Sequence, residues 1–384
     1  MVSVEYKKLG DIATYINGYA FKPEQRGSEG LPIIRIQDLT GNAYDLGYYN
    51  GDYPKKVELN DGDVLISWSA SLGVYLWDRG KALLNQHIFK VVFDKVEIDK
   101  FYFMYAVEYN LDKMSLKTHG ATMKHITKKD FDNVVIPYPN LDYQKEVAYR
   151  LTSLKGIIKK YQEQLVLLDE LIKARFVEMF GDPNIEFKYS SVKFNDLVAR
   201  MTKGPFGSDM KKDLFVPKGE DTYKVYIQIN AIQKNQSLGE YYISKEYFDR
   251  KVSRFELFPN DYIITCDGTL GKYLKLDENM EKGVISPSLL RLTLQNDKIN
   301  DKYFENIWDF YMLGLMKKEA RNACLVHLPS AKKIGEISIP VPPLELQNQF
   351  ASFVKEIDKS RSRIQKSLEA SQELFDCLMQ EYFG

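Results

Sequence analysis

The chain has 384 residues, of which 44% are hydrophobic, 13% aromatic and 28% charged, and its formal net charge is zero. This length indicates two or three domains, and this composition excludes a largely disordered chain. The neutral charge excludes a nucleic-acid-binding protein that is basic throughout, so any phosphate-binding surface must be local.

The N-terminal residues show no apolar signal segment, and no apolar run is long enough to span a membrane. Cys266, Cys324 and Cys377 form no CxxC pair, which indicates thiols in a reducing compartment. We therefore expect a cytoplasmic protein with no membrane partner.

The first globular segment is predicted over residues 1–139. Its short apolar and β-branched runs, Leu31–Leu39, Gly62–Trp68 and His87–Phe93, alternate with turn residues and are expected strands. The spacing of apolar residues in Ile98–Met114 predicts a helix. Together these patterns indicate an α+β fold that is mainly β.

A long helix is predicted over residues 140–182, directly after an Ile-Pro-x-Pro segment. Its apolar positions repeat at alternating steps of three and four residues, which is the heptad pattern of a coiled coil. Asn140 suits the N-cap, and Gly181 suits the end of the helix. The predicted seam consists of Val147, Leu151, Leu154, Ile158, Tyr161, Leu165, Leu168 and Ile172.

A second globular segment is predicted over residues 183–342 and a second long helix over residues 343–384. Asn300–Ala320 is expected to be helical within the globular part. The second seam keeps the heptad spacing, with Arg361 and Ser371 as polar interruptions that tend to fix register. Its apolar members are Phe350, Val354, Ile357, Ile364, Leu368 and Phe375.

The two halves form a tandem repeat. Aligning Pro137 with Pro340 at an offset of 203 residues (340 minus 137) also pairs Gln144 with Gln347 and Gly181 with Gly384. Two helices of about 40 residues, roughly 60 Å each at 1.5 Å per residue, most simply pair with each other in antiparallel orientation. In the alternative, each helix packs on its own globular segment.

No catalytic or metal-binding motif is evident. The sequence contains no GxxxxGK[ST], HExxH or GxSxG pattern and no zinc-binding pair of CxxC motifs. Asp267–Gly271 fits a tight turn better than a phosphate-binding loop. His125 and His327 recur in both halves and fit loop or capping roles, although a contact to a base or phosphate stays open. We predict no catalytic residue, no metal site and no cofactor in this chain.

The remaining chemistry favours binding. Gly-containing stretches rich in Lys, Arg, Gln and Asn occur in both halves, and these side chains contact phosphates and base edges. The alternative for any single residue is a solvated surface loop. The DNA-binding candidates are Arg26, Arg35, Gln37, Lys124 and His125 in the first half, and Lys203, Lys211, Gln228, Asn230 and His327 in the second.

These features resemble the specificity subunit of type I restriction–modification systems over essentially the whole chain. The resemblance rests on the two IPxPxLxxQ segments, Ile136–Gln144 and Ile339–Gln347, and on the two long helices ending in EMFG and EYFG. It also rests on the paired GDVLIS and NDYIIT motifs. Each motif alone is weak, whereas the duplicated combination is specific.

The resemblance implies two mainly-β target recognition domains joined by two long antiparallel coiled-coil helices, in a pseudo-twofold tandem repeat. Each domain would read one half of a bipartite site in double-stranded DNA. Two methyltransferase subunits that modify adenine would dock on the helices, and nuclease/translocase subunits would join for restriction. S-adenosylmethionine, ATP and Mg²⁺ would then belong to these partners.

Three alternatives stay open. The chain could be an enzyme with its own methyltransferase or nuclease activity, which the missing motifs disfavour. It could be a structural coiled-coil adaptor that never touches DNA. Within the family, it could serve a different methyltransferase or be one of several exchangeable alleles.

Overall fold

The computed structural model describes residues 5–42, 45–117, 126–182, 184–233, 239–321 and 327–384. The chain divides into two compact units. Unit 1 comprises Met1–Glu163 and Ile364–Gly384, and unit 2 comprises Gln164–Arg363. The boundaries fall inside both long helices, α5 (Leu141–Phe180) and α11 (Leu344–Phe383), so each unit contains a part of each helix.

Unit 1 contains ten short strands and four helices besides its parts of α5 and α11, counted over the described residues. Its strands are β1 (Glu5–Lys8), β2 (Thr14–Asn17), β3 (Leu31–Ile34), β4 (Gly47–Tyr49), β5 (Glu58–Leu59), β6 (Val64–Ser67), β7 (Gly73–Leu76), β8 (Ala82–Leu84), β9 (Ile88–Val92) and β10 (Val135–Tyr138). Its other helices are α1 (Leu9–Ile12), α2 (Ile36–Thr40), α3 (Lys100–Lys117) and α4 (Lys128–Asp132).

The strands of unit 1 form two four-stranded sheets, β2-β9-β6-β7 and β4-β3-β8-β5, and a two-stranded ribbon, β1-β10. All pairs are antiparallel except the parallel pair β3–β8. The larger core lies between the first sheet, α3 and the two long helices, and includes Phe103, Phe131, Leu151 and Phe383. The sheet is therefore fixed to both long helices by burial of large apolar side chains.

Unit 2 repeats this plan. Its strands are β11 (Ser191–Lys193), β12 (Val198–Lys203), β13 (Thr222–Tyr226), β14 (Tyr241–Ser244), β15 (Tyr262–Thr265), β16 (Tyr273–Lys275), β17 (Gly283–Ile285), β18 (Leu289–Leu294) and β19 (Ser338–Pro340). Its other helices are α6 (Gln228–Ala231), α7 (Lys245–Tyr247), α8 (Asp301–Ile307), α9 (Leu313–Arg321) and α10 (Ala331–Gly335).

The larger sheet and the ribbon of unit 2 match those of unit 1 in order and direction, whereas its second sheet has three strands and no counterpart of β5 among the described residues. The sheets are β12-β18-β15-β16, β14-β13-β17 and the ribbon β11-β19, and β13–β17 is again the parallel pair. The predicted helix over Asn300–Ala320 is present as α8 and α9, joined by a π-helical turn at Trp308–Met312. The mixed, mainly-β architecture expected from the sequence is confirmed.

The long helices pair in antiparallel orientation within each unit. In unit 1, Arg150 of α5 donates a hydrogen bond to Tyr382 of α11 at 3.3 Å, and Lys155 lies 5.9 Å from the Phe375 ring. In unit 2, Arg361 of α11 forms an ion pair of 2.6 Å with Asp169 of α5, and the Arg175 guanidinium of α5 lies 5.9 Å from the Phe353 ring of α11. Within each unit, later residues of α5 thus contact earlier residues of α11, which is the antiparallel arrangement.

The predicted seam positions are the inward-facing ones. Val147, Leu151, Ile158 and Ile172 of α5 are buried, as are Phe350 and Val354 of α11. Leu154, Leu165, Leu168, Ile357, Ile364, Leu368 and Phe375 are half-buried in the same stripes. Most of the buried positions pack in the cores of the units, Val147 and Leu151 in one core and Ile172, Phe350 and Val354 in the other. A seam between the two helices along their length stays a prediction.

The helix ends follow the predicted signals. The Asn140 side chain accepts a hydrogen bond from the Tyr143 amide at 2.9 Å, and Gly181 adopts a left-handed conformation with φ 90°. Capping and glycine termination depend on residues close together in the chain, so the sequence alone can predict them.

One strand prediction was too long. Leu31–Leu39 was expected to be a strand, but β3 ends at Ile34 and α2 begins at Ile36. The reason is a local cap, because the Asp38 carboxylate accepts a hydrogen bond from the Arg35 amide at 2.8 Å. Within the described residues, no helix combines the length and the apolar character that crossing a membrane requires.

Candidate nucleic-acid interface

Four backbone segments of unit 2 meet at one end of its larger sheet. The Gly204 amide donates to the Leu289 carbonyl at 2.8 Å, and the Cys266 amide donates to the Ser288 carbonyl at 2.9 Å. The Leu328 amide in turn donates to the Cys266 carbonyl at 2.8 Å. We call the residues around these contacts, 204–208, 266–271, 286–288 and 327–328, the unit 2 loop cluster.

Unit 1 builds the same arrangement with the same hydrogen bonds. Gly18 donates to Ile88 at 3.1 Å, Trp68 to His87 at 3.3 Å, and Ile126 to Trp68 at 3.1 Å, all through backbone atoms. The corresponding residues, 18–21, 68–73, 85–87 and 126, form the unit 1 loop cluster. The backbone is thus repeated, while the side chains on it differ between the units.

Glycine is required at one position of each cluster. A Cβ atom on Gly18 would lie 1.9 Å from the Asn85 carbonyl oxygen, and one on Gly204 would lie 2.0 Å from the Ser286 carbonyl oxygen. No larger residue allows this approach of two backbones. The two glycines, which lie in the stretches NGYAF (residues 17–21) and KGPFG (residues 203–207), therefore have a shared structural role.

The turn at Asp267–Gly271 is a tight turn, as the sequence favoured. Gly268 has φ 67°, and its counterpart in unit 1, Ala70, has φ 58°. The Thr265 hydroxyl donates to the Thr269 carbonyl inside the turn, and Ser67 does the same toward Ser71 at 2.5 Å. Burial raises the pKa of the adjacent Cys266 thiol to about 12, so this cysteine stays protonated.

Three sequence candidates of unit 2 converge on its loop cluster. Lys203 is exposed at the end of β12 next to Gly204. The His327 imidazole Nδ1 contacts the Asp267 carboxylate, and the Gln228 side-chain nitrogen lies 4.0 Å from the point that a Cβ atom on Gly268 would occupy. The cluster thus brings a cation, an amide and an imidazole to one end of the sheet.

Lys211 and Asn230, the other two candidates of unit 2, lie in other segments of the chain. Lys211 is exposed at the start of a separate 3₁₀ turn, Lys212–Leu214. Asn230 lies in α6, and its side chain is outside the described part of the chain. Their roles in DNA binding stay predictions.

The candidates of unit 1 are more dispersed. Arg26 packs its side chain over Gly47, next to the second sheet, and Gln37 is exposed on α2. The Arg35 guanidinium is engaged inside the protein, 3.1 Å from the Asp38 carboxylate and in contact with Asp45. The Asp38 hydrogen bond raises the pKa of Arg35. Lys124 and His125 lie outside the described residues.

Sequence reasoning missed several loop-cluster residues. Phe206 is 75% exposed beside Gly207, and Asn85, Gln86 and His87 form the turn between β8 and β9. The repeat offered a sequence signal for the turn residues, because 85–87 and 286–288 occupy equivalent positions and carry different side chains. The strand expected over His87–Phe93 included His87, whereas β9 begins one residue later at Ile88.

A family model described as the type I restriction modification DNA specificity domain matches residues 1–167 and 207–372. The chain belongs to this family. Members of the type I specificity family are the non-catalytic DNA recognition subunits of type I restriction–modification systems. The two matched ranges follow the two repeats seen in the structure, each reaching into one long helix.

Individual relatives agree with this assignment. The chain is 22% identical to the type I restriction enzyme EcoBI specificity subunit of Escherichia coli, over 94% of this chain and 80% of that protein. It is also 22% identical to the MjaVIII specificity subunit of Methanocaldococcus jannaschii, over 94% and 89% of the two chains.

Solved structures share the fold. The type I specificity subunit from M. genitalium matches with a TM-score of 0.57 at 14% identity, covering 100% of this chain and 96% of that one. A chain from a structural study of complex assembly and conformational transition of the type I restriction–modification system also matches with a TM-score of 0.57, at 13% identity, covering 99% and 97%.

Proposed function

We propose that the chain reads a bipartite site in double-stranded DNA, with one target recognition domain for each half-site. The observation that carries this proposal is the duplicated loop cluster. Its backbone hydrogen bonds recur in both units, whereas its side chains differ. A device that reads two different short sequences by one geometry needs this combination of constant backbone and variable side chains.

The chemistry of the unit 2 loop cluster suits DNA. Lys203 supplies a positive charge for a phosphate, and Gln228 supplies an amide of the kind that pairs with base edges. Phe206, exposed between Pro205 and Gly207, is the type of side chain that inserts between base steps. Side chains of this kind would position the duplex and recognise its sequence without catalysing a reaction.

The long helices are proposed to dock two methyltransferase subunits. Leu171 of α5 and Leu374 of α11 occupy the same position of the repeat and are 46% and 51% exposed. An apolar side chain exposed twice at one repeat position supports two similar partner contacts. Changing Leu374→Lys is expected to lower the methyltransferase stoichiometry by one copy in native mass spectrometry, and Leu171→Lys to remove the other.

The catalytic parts are proposed to reside in the partners. The methyltransferase subunits would use S-adenosylmethionine to modify adenine, and nuclease/translocase subunits would use ATP and Mg²⁺. Support comes from the sequence, which has no GxxxxGK[ST] loop for ATP and neither the FxGxG-type loop nor the [ND]PP[YF] tetrapeptide expected of an amino-methyltransferase. The neutral net charge fits this division, because much of the phosphate contact would then come from partner subunits.

The test is co-expression with the methyltransferase subunit of the same system, followed by single-molecule sequencing of the host DNA. The expected result is modified adenine within one motif of two short half-sites and a fixed gap. Cells with the methyltransferase alone are the control and should lack that motif. A stable complex that leaves DNA unmodified and does not bind duplex would favour the structural-adaptor alternative, and methylation by the purified chain alone would establish an enzyme.

A further inference from the structure

The turn that joins β8 to β9 in unit 1, Asn85-Gln86-His87, has a strained backbone. His87 adopts φ 73°, a left-handed conformation that residues with a Cβ atom rarely take. Its ring lies 5.0 Å from the Trp68 ring, and its carbonyl accepts the Trp68 amide. The strain is thus held in place by packing and hydrogen bonding at the centre of the unit 1 loop cluster, and such strain concentrates at functional sites.

The same turn contains two buried polar atoms that lack partners. Asn85 is 7% exposed, and its Oδ1 atom has no hydrogen-bond partner among the described residues. The Nδ1 atom of His87 is likewise buried without a hydrogen-bond partner among the described residues. Buried polar atoms without partners are unfavourable, so a turn selected for stability alone would not contain two of them.

The counterpart in unit 2 has neither feature. Ser286 and Ser288 occupy the equivalent chain positions, and their hydroxyl oxygens lie 3.2 Å apart, so that one hydroxyl donates a hydrogen bond to the other. Neither serine has a positive φ. The repeat therefore preserves the backbone bonds at the first and third positions of the turn, which the Asn85 and Ser286 amides donate and the His87 and Ser288 carbonyls accept. Unit 1 carries an amide, an amide and an imidazole where unit 2 carries serine, proline and serine.

Gln86 is the member of the turn that projects into solvent. Its side chain is exposed, while its backbone amide donates to the Tyr19 carbonyl at 3.0 Å and fixes its position. An exposed glutamine on a fixed backbone is suited to pair with a base edge, because its amide both donates and accepts. The flanking residues are fixed through their backbones, since the Asn85 amide donates to the Ile34 carbonyl at 3.0 Å and the His87 carbonyl accepts the Trp68 amide at 3.3 Å.

We propose that the Asn85–His87 turn is a base-reading element of the first recognition domain, with Gln86 as the contacting residue and His87 as a positioning residue. This inference rests on the proposed function. It adds residues that determine one half-site and leaves the other half-site to unit 2.

The experiment compares complexes containing wild-type chain, Gln86→Ala, Gln86→Glu and His87→Asn, each with the methyltransferase subunit. His87→Asn keeps a residue that tolerates a positive φ, so the turn can form without the imidazole. Asn50→Ala, an exposed amide after β4 on the neighbouring sheet, is the matched control. The readouts are the modified motif in host DNA and the affinity for duplexes with single-base changes in either half-site.

The expected result is relaxed preference at one base of one half-site for Gln86→Ala, by roughly 10- to 100-fold, with the other half-site unchanged. Gln86→Glu should change the preferred base there, because a carboxylate only accepts hydrogen bonds. His87→Asn should weaken the same half-site while the complex stays assembled, as judged by size-exclusion chromatography.

Two outcomes would overturn the proposal. One is an unchanged motif and unchanged affinity in all three variants. The other is an equal loss of affinity for every sequence, which indicates a phosphate contact. If the wild-type complex itself produces no bipartite motif, the proposed function fails, and that failure is visible before any variant is compared.

Discussion

The side-chain amide of Gln347 donates a hydrogen bond to the carbonyl oxygen of Pro342 at 2.8 Å. Its oxygen accepts the Asn300 backbone amide, also at 2.8 Å, so one buried side chain joins the Ile-Pro segment, α8 and α11. Gln144 makes the matching bonds in unit 1, to Pro139 at 2.8 Å and from Asp99 at 2.9 Å. The glutamine of the IPxPxLxxQ motif thus fixes where each helix leaves its domain.

Gln347→Leu is expected to destabilise unit 2 by about 2 kcal/mol, since the Asn300 amide and the Pro342 carbonyl would lose their partner. Thermal unfolding of the purified chain measures the effect. Gln349→Leu is the control, because that glutamine is exposed two residues further along the same helix. Equal melting temperatures for the two variants would contradict the assigned role.

A second prediction concerns burial along the seam, and it compares the stability effects of changing two leucines of α5. Leu151 is fully buried, whereas Leu167 is 58% exposed. Leu151→Ala should cost about 2–5 kcal/mol of unfolding free energy, and Leu167→Ala less than about 0.5 kcal/mol. Urea denaturation of both variants is the measurement, and a similar cost for the two would argue against burial along the heptad stripe.

Lys203 is expected to contact a phosphate in the complex. Lys203→Ala should weaken DNA binding about equally for all sequences and reduce the slope of log affinity against log salt by about 1. Lys298→Ala serves as the control, because Lys298 follows the far end of β18 and donates to the Asp196 carbonyl at 3.1 Å. A sequence-dependent loss for Lys203→Ala would instead assign this lysine to base reading.

The two described cysteines should differ in reactivity. Cys266 is 1% exposed with a pKa raised to about 12 by burial, whereas Cys377 is exposed on α11. In a Cys324→Ser background, maleimide should label Cys377 rapidly and Cys266 only after unfolding, because the thiolate is the reactive form. Mass spectrometry of the labelled peptides gives the answer. Rapid labelling of native Cys266 would mean that the Asp267–Gly271 turn opens readily.

The features that the sequence predicted well are local ones. Heptad spacing identified Leu151 and Phe350 as buried because a helix places residues on faces by spacing alone. The caps at Asn140 and Gly181 are likewise set by nearby residues. The repeat strengthened the helix assignments, since the IPxPxLxxQ segment and the heptad spacing occur in both halves, whereas the Asn140 cap is replaced by Pro343 in the second.

The interface was harder to predict from the sequence, because residues that are far apart in the chain meet there through backbone contacts. Nothing near Gly18 in the chain indicates that it crosses the Asn85 backbone, and Gln86 was therefore overlooked. Arg35 is a candidate whose guanidinium is engaged within the protein, by the Asp38 carboxylate three residues later. Its contact with DNA stays a prediction, and the exposed Gln86 has a side chain free to meet a base edge.

The sharing of both long helices between the units has a consequence for protein synthesis. Met379 and Phe383 are buried in the core that also contains Leu9 and Ile12. Unit 2 draws its residues from Gln164–Arg363, whereas unit 1 needs Ile364–Gly384 in addition to Met1–Glu163. The segment translated first therefore completes its core last, and a premature stop within the codons for Ile364–Gly384 would leave incomplete the core of the recognition domain that was begun first.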